Sequence, residues 1–179
     1  TFVVGSSNRV AHAAAMAVAE SPGKSYNPLF LYGPAGVGKT HILHAIEERL
    51  PARTKLHAQY MTALGFVERF TIPGGDFTPD AFPLEFQEIE VLLIDDLDFL
   101  PTTKETRLGL VRILDALVND RRQIVLSSRS HPRDIPGGEG SLLSCLQAGL
   151  VCSLETPDFD TRTAIAMREA RRRGVEIPA

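Results

Sequence analysis

The sequence predicts an α/β domain: a mainly parallel sheet of five strands covered on both faces by helices. Three observations predict it. Short apolar runs alternate with longer helical patterns along the chain, the rhythm of βαβ units. The apolar runs span only four to six residues each, too short for helices. The length of 179 residues, at 44% hydrophobic and 23% charged, suits one domain with a sizeable core.

The elements follow in order. VAHAAAMAVAE (10–20) is alanine-rich and helical, and Ser21, Pro22 and Gly23 end it. PLFLY (28–32) reads as a buried strand, and KTHILHAIEERL (39–50) as an amphipathic helix stopped by Pro51. TKLHAQ (54–59) is a weaker strand and MTALGFVERF (61–70) a short helix. TIPGGDFTPDAFP (71–83) has the prolines and paired glycines of a loop. VLLI (91–94) is a buried strand, and 103–120 a helix with its stripe at Leu110, Ile113, Leu114 and Leu117. QIVLSS (123–128) is a strand, HPRDIPGGEG (131–140) a loop, LVCSLE (150–155) the last strand, and Asp158 to Arg173 a helix closed by Gly174.

Composition narrows the function classes. No apolar run approaches the roughly 20 residues of a membrane span, and no charged-then-apolar leader is visible. The chain opens on Thr1 rather than methionine, which reads as an excised domain. Its 19 Lys and Arg against 22 Asp and Glu, a net charge of −3, disfavour a domain living by phosphate-backbone contacts. The basic clusters Arg121–Arg122 and Arg171–Arg173 read as solvated helix ends, the latter complementing a helix dipole. Cys145 and Cys152 match no zinc or redox spacing and read as reduced cytoplasmic thiols. His41 and His44 lie three apart on a helix without an evident third ligand.

The chemistry concentrates in FLYGPAGVGKTH (30–41). Gly33, Pro34, Ala35, Gly36, Val37, Gly38, Lys39 and Thr40 match G-x-x-x-x-G-K-[ST], with a strand before and a helix after. Glycines let backbone N–H groups approach phosphate oxygens, and the helix start aims its positive end at the same charge. Lys39 can reach the β and γ phosphates, and Thr40 can place its hydroxyl on Mg²⁺. The other half of such a site is an acidic strand end, supplied by VLLIDDLDFL (91–100). Asp95 suits the Mg²⁺ shell, and Asp96 suits a carboxylate that orients an attacking water. Neighbours on a strand point to opposite faces, so one of the two aspartates must leave strand geometry to share the site. Asp98 reads as a surface or capping residue. Phosphate-loop kinases share these parts, but no acceptor-substrate signature is visible.

Over nearly its full length the chain resembles the AAA+ domain of the bacterial replication initiator DnaA. The resemblance rests on 2–46, on LLIDDLDFL (92–100), on QIVLSSRSHPRDI (123–135) and on TPDFDTRTAIAMREARRRGVEIP (156–178), all ungapped. It implies a three-layer αβα phosphate-loop NTPase, the AAA+ base domain over 1–179, with strand order 5-1-4-3-2. It implies ATP or ADP with Mg²⁺ as ligands. Gly33, Gly36, Val37, Gly38, Lys39, Thr40 and His41 would line the phosphates, and Phe2 to Gly5, with Val3 and Val4 among them, and Asn8 would lie near the adenine. Read from residues alone, Phe2, Val3 and Val4 suit a core equally well.

The chain also departs from the pattern. Where the resemblance implies paired arginines before the fifth strand, one reaching a neighbouring subunit's ATP, SLLSCLQAGL (141–150) carries none. Where it implies an aspartate after two serines, Arg129 stands, either turned to the γ-phosphate or outward, with Ser127 and Ser128 as alternative donors. The segment implied to touch single-stranded DNA (61–90) has one arginine, Arg69, and six acidic residues, a poor match to a polyanion. The helical lid and the duplex-binding domain are expected to lie outside this chain.

These features lead to an expectation of a divergent DnaA paralogue, a nucleotide-dependent regulatory or protein-interaction module linked to replication. A slow ATPase remains open, with Asp96 and Lys39 as its catalytic pair. The expected partner is another protein, such as a second AAA+ replication protein. Assembly of identical subunits through an arginine finger, DNA contact and membrane contact are not expected. The alternatives are an active initiator-type ATPase assembling on DNA and a helicase-loader-like ATPase.

Overall fold

A computed structural model describes residues 2–50, 57–70 and 88–175. Five parallel strands form one sheet in the order β2-β3-β4-β1-β5, which is the expected 5-1-4-3-2 read from the other edge. The strands are β1 (Leu29–Tyr32), β2 (His57–Thr62), β3 (Ile89–Asp95), β4 (Gln123–Ser128) and β5 (Leu150–Ser153). The described helices are α1 (Arg9–Glu20), α2 (Lys39–Arg49), α3 (Ala63–Phe70), α4 (Lys104–Asn119), α5 (Ser141–Leu146) and α6 (Phe159–Arg172).

Two cores sandwich the sheet, and the strand period of two sorts residues between them. Leu29, Leu31, Val91, Leu93 and Val125 face α1 and α2, together with Ile42, Leu43 and Ile46. Phe30, Leu92, Ile94, Ile124 and Leu126 face the other way, against Phe66 of α3, Leu110, Ile113 and Leu114 of α4, and Leu142 and Leu146 of α5. Each of these large side chains contributes about 1.5–3 kcal/mol by leaving water. The alanine richness of α1 has its reason here: Ala11, Ala14, Ala15 and Ala19 are buried, and small side chains let the helix sit close to its neighbours.

The observed boundaries differ from expectation chiefly at β2. Residues 54–56 and the 71–83 loop lie outside the described residues. Met61 and Thr62, expected to open a helix, close β2 instead, because they pair with Ile94 and Asp95. The apolar pattern there fits either period, and pairing with the central sheet decides it. Residues 141–150 hold α5, which buries Leu142, Cys145 and Leu146. The loop 131–140 contains a 3-10 turn at Pro132–Asp134, capped by His131.

Candidate functional site

A cavity of about 1090 Å³ opens at the carboxyl ends of β1, β3 and β4. Those three strands are adjacent in the sheet, so whatever follows each of them meets the others. In open parallel sheets this is where ligands bind.

The loop after β1 is shaped by its glycines. Gly38 ends it at φ +104, and α2 begins with no side-chain cap. The first-turn N–H groups of α2 therefore have no intrahelical or side-chain partner, a standing site for an anion. A Cβ at Gly38 would press on the Phe2 ring, and one at Gly33 would overlap the Leu154 carbonyl. Lys39 is 94% buried, at 6% exposure. Its Nζ donates to the carbonyls of Gly33 at 2.7 Å and Pro34 at 2.8 Å. Burial pulls its pKa below the ordinary lysine value, Asp95, Asp96 and Asp98 oppose that shift, and Arg129 adds to it.

Asp95 is the polar hub. It is 1% exposed and accepts from four donors: Thr40 Oγ1 at 2.6 Å, Tyr60 OH at 3.1 Å, the Asp96 N–H at 3.0 Å, and Ser127 Oγ. Burying a carboxylate is costly unless such donors satisfy its oxygens. Burial, and Asp95 beside it, push the Tyr60 phenol up to about 12, so it stays a donor. Asp96 departs from the strand: its backbone is left-handed, φ 56 and ψ 48. That turn brings Asp96 to the cavity, while Asp95 stays buried behind it and bonds to the cavity-lining Thr40. Asp96, half-buried, lines the cavity with Lys39 and Thr40.

Asp98, read from the sequence as a surface or capping residue, holds the loop after β4 instead of capping a helix. Its carboxylate accepts from Ser128 Oγ at 2.8 Å, the Arg129 N–H at 2.6 Å and the Ser130 N–H at 3.2 Å. Both serines of the SS pair are thus engaged with carboxylates, Ser127 with Asp95 and Ser128 with Asp98. Arg129 lines the cavity, with its guanidinium carbon 5.2 Å from the centroid of the Phe99 ring.

The opposite wall comes from the chain start and from α6. Phe2 stacks on His12 with centroids 5.8 Å apart and meets His41 edge-on at 5.6 Å. Asn8 pins this strap: its Oδ1 accepts from the Gly5 N–H at 2.9 Å and its Nδ2 donates to the Val3 carbonyl at 3.0 Å. Phe2, Val3, Asn8, Val37 and His41 line the cavity, whereas Val4 is exposed to solvent. Ser7, on the same wall, has a buried hydroxyl oxygen with no hydrogen-bond partner. Ile165, Arg168 and Arg172 of α6 complete it, and Arg168 Nη1 donates to the Phe2 carbonyl at 3.3 Å.

The donor set fits a nucleoside polyphosphate with a divalent cation. Uncapped N–H groups and an ammonium suit phosphate oxygens. A hydroxyl beside a carboxylate suits a hard cation that keeps most of its waters. The orphaned Ser7 hydroxyl and the flat Phe2 strap suit the remainder of such a ligand. Among the described residues, no group of three His, Cys, Asp or Glu is placed to hold a metal by itself. Tyr60 and Ser127 as partners of Asp95, and the α6 wall, were not legible in the sequence. No local pattern links them to the loop.

A family model described as the bacterial DnaA ATPase domain matches residues 1–153. The chain is 41% identical to the chromosomal replication initiator protein DnaA of Symbiobacterium thermophilum, over 99% of this chain and 39% of that protein. It therefore spans about two fifths of the length of that relative. Domain III of the Thermotoga maritima replication initiation protein DnaA has a TM-score of 0.86 at 34% identity, covering 99% of this chain and 74% of that one. A replication initiator DnaA bound to AMPPCP and single-stranded DNA has a TM-score of 0.85 at 28% identity, covering 99% and 55%. The DnaC helicase loader, at 17% identity and TM-score 0.66 over 88% of this chain and 94% of its own, shares the fold alone.

Proposed function

The chain belongs to the bacterial DnaA ATPase domain family, and from that membership we propose that it holds ATP or ADP with Mg²⁺ in the cavity above β1, β3 and β4, as a nucleotide-dependent regulatory module of replication in the cytoplasm. Gly36, Gly38 and Lys39 take the phosphates. Thr40 and Asp95 form the Mg²⁺ shell, and Asp96 orients a water. The nucleotide supplies differential affinity for two conformations, which a protein partner reads. Another AAA+ protein of replication suits that partner role.

One observation carries the regulatory reading. The phosphate side of the site is complete within one chain, yet α5 and the residues up to β5 (141–150) contain no arginine. An arginine finger contributes about 10³ to 10⁵ in rate where it operates, and this domain does not supply one from that segment. Turnover between identical copies is therefore slow.

The second reading is an initiator-type ATPase that assembles on DNA. The likeness to an initiator bound to single-stranded DNA favours it. The charge pattern opposes it, since 61–90 holds Arg69 among six acidic residues.

The test combines two measurements on one sample. A fluorescent ATP analogue is titrated with Mg²⁺, and single-turnover hydrolysis is followed over a range of protein concentrations. Tight binding with a rate independent of concentration supports the regulator. A rate that climbs steeply with concentration means self-assembly supplies the missing group, and the initiator-type ATPase takes its place.

A further inference from the structure

We propose that Tyr60 is a positioning residue of the metal side of this cavity. Its hydroxyl fixes the Asp95 carboxylate against Thr40, so that an edge strand outside the cavity sets how strongly Mg²⁺ promotes nucleotide binding. The proposal rests on the reading of the cavity as a site for nucleotide and Mg²⁺.

Asp95 divides its donors between its two oxygens. Oδ1 accepts from the Asp96 N–H and from Ser127 Oγ. Oδ2 accepts from Thr40 Oγ1 at 2.6 Å and from Tyr60 OH at 3.1 Å. Oδ2 is therefore the oxygen turned to the cavity-lining Thr40, and Tyr60 is the second group that holds it. Tyr60 comes from β2, at the edge of the sheet, and no residue of β2 lines the cavity.

Register explains why this residue is a tyrosine. Tyr60 lies opposite Leu93, and Thr62 opposite Asp95. The side chain must therefore reach two residues ahead along the strand, about 7 Å. A phenol spans that distance, and a serine or threonine hydroxyl falls short. The ring is steadied on the way by the His44 ring, with centroids 4.4 Å apart. His44 lies four residues beyond Thr40 on α2, on the same side of the helix, and lines the cavity. Tyr60 thus rests its ring on α2 and its hydroxyl on the end of β3. At neutral pH a phenol is protonated and donates.

The terminal torsion of an aspartate is broad, so the donors decide where its oxygens stand. Without Tyr60, Oδ2 keeps Thr40 alone, and the Thr40 oxygen is itself read as part of the Mg²⁺ shell. Tyr60 is the donor on that oxygen that takes no part in the shell. A small cation that keeps most of its waters demands near-ideal placement of the groups around it. Charge alone argues the opposite sign, because a carboxylate relieved of one donor is a stronger acceptor. The direction of the effect separates positioning from charge.

The experiment titrates a fluorescent ATP analogue in EDTA and at a series of Mg²⁺ concentrations. The proteins are wild type, Tyr60→Phe, Tyr60→Leu, Asp95→Asn and the Tyr60→Phe/Asp95→Asn double variant, with thermal melts on each. In Tyr60→Phe the affinity in EDTA is expected to stay unchanged. Its enhancement by Mg²⁺ is expected to fall about threefold to tenfold, the equivalent of one hydrogen bond. Tyr60→Leu should lose the same enhancement while melting at a lower temperature, since it also gives up the ring contact with His44. Tyr60→Phe added to Asp95→Asn should change the enhancement no further, because the tyrosine acts through the carboxylate. An unchanged or larger enhancement in Tyr60→Phe would overturn the proposal. So would equal losses with and without Mg²⁺, or losses that follow the melting temperature rather than the hydroxyl. If wild type binds the analogue equally with and without Mg²⁺, the metal reading of the cavity falls and takes this one with it. If wild type does not bind it at all, the nucleotide reading falls as well.

Discussion

Thr40 Oγ1 donates to Asp95 Oδ2 at 2.6 Å across 55 positions of sequence. The bond joins the first turn of α2 to the carboxyl end of β3. It ties the cavity-lining Thr40 to a buried carboxylate, within the same helix turn that presents the uncapped N–H groups. The site is thereby organised by the fold before any ligand contributes to it, which lowers the ordering cost of binding.

Lys39 is the first residue to test. Lys39→Ala removes the ammonium that Gly33 and Pro34 hold at the loop base. Nucleotide affinity is expected to fall about a hundredfold or more, with the circular dichroism spectrum preserved. Titration with a fluorescent ATP analogue measures it, and unchanged binding would refute the pocket.

Asp95 separates stability from function. Asp95→Ala strands the Thr40, Tyr60 and Ser127 hydroxyls and the Asp96 N–H. A loss of about 3 kcal/mol is expected in urea unfolding, against about 1 kcal/mol for Tyr60→Phe, which removes a single donor. Equal small losses for both variants would mean that water readily replaces the carboxylate.

Asp96→Asn isolates the water-orienting role. Asparagine tolerates the left-handed backbone that Asp96 adopts at φ 56, so the turn and the nucleotide affinity are expected to survive. Single-turnover hydrolysis is expected to drop by about 10². An unchanged rate would remove Asp96 from the reaction.

Asp158 gives the chain an acid-sensitive cap. Its carboxylate accepts from the Thr161 N–H and from Ser6 Oγ, each at 2.8 Å, tying α6 to the chain start. The Thr161 hydroxyl and N–H, then Ser6, hold its pKa at about 2, below the ordinary 3.8. A depressed carboxylate stabilises the fold above its unfolded value, and that contribution disappears as pH falls from 3.8 through about 2. Asp158→Asn keeps a cap but does not titrate. Acid unfolding curves of the two proteins should therefore converge toward pH 2, with wild type more stable above pH 3.8. Parallel curves across that window would exclude the linkage.

Much of this was legible before the structure. The alternation of strands and helices stood in the apolar runs, and the phosphate loop stood in eight consecutive residues. Asp95 was identifiable from the buried run that it ends. Even the need for one aspartate to break strand geometry followed from the pleat, although the sequence did not say which would turn. The β2 boundary was misplaced because Met61 and Thr62 fit a helix as well as a strand until their pairing with Ile94 and Asp95 is known.

By itself the sequence determined what is encoded over a few neighbouring residues: periodicity, the glycine spacing, the strand that leads into the loop, and the absence of an arginine from 141–150. Only the tertiary structure decided which distant groups meet. Tyr60 reaches Asp95 because β2 lies beside β3, and Ser127 reaches it because β4 lies on the other side. Asp98 grips the loop that carries Arg129 for the same reason. Local patterns follow from backbone sterics and side-chain period, which act between near neighbours. Hydrogen bonds between strand ends depend on sheet order, and that order is set by how two apolar faces are buried at once.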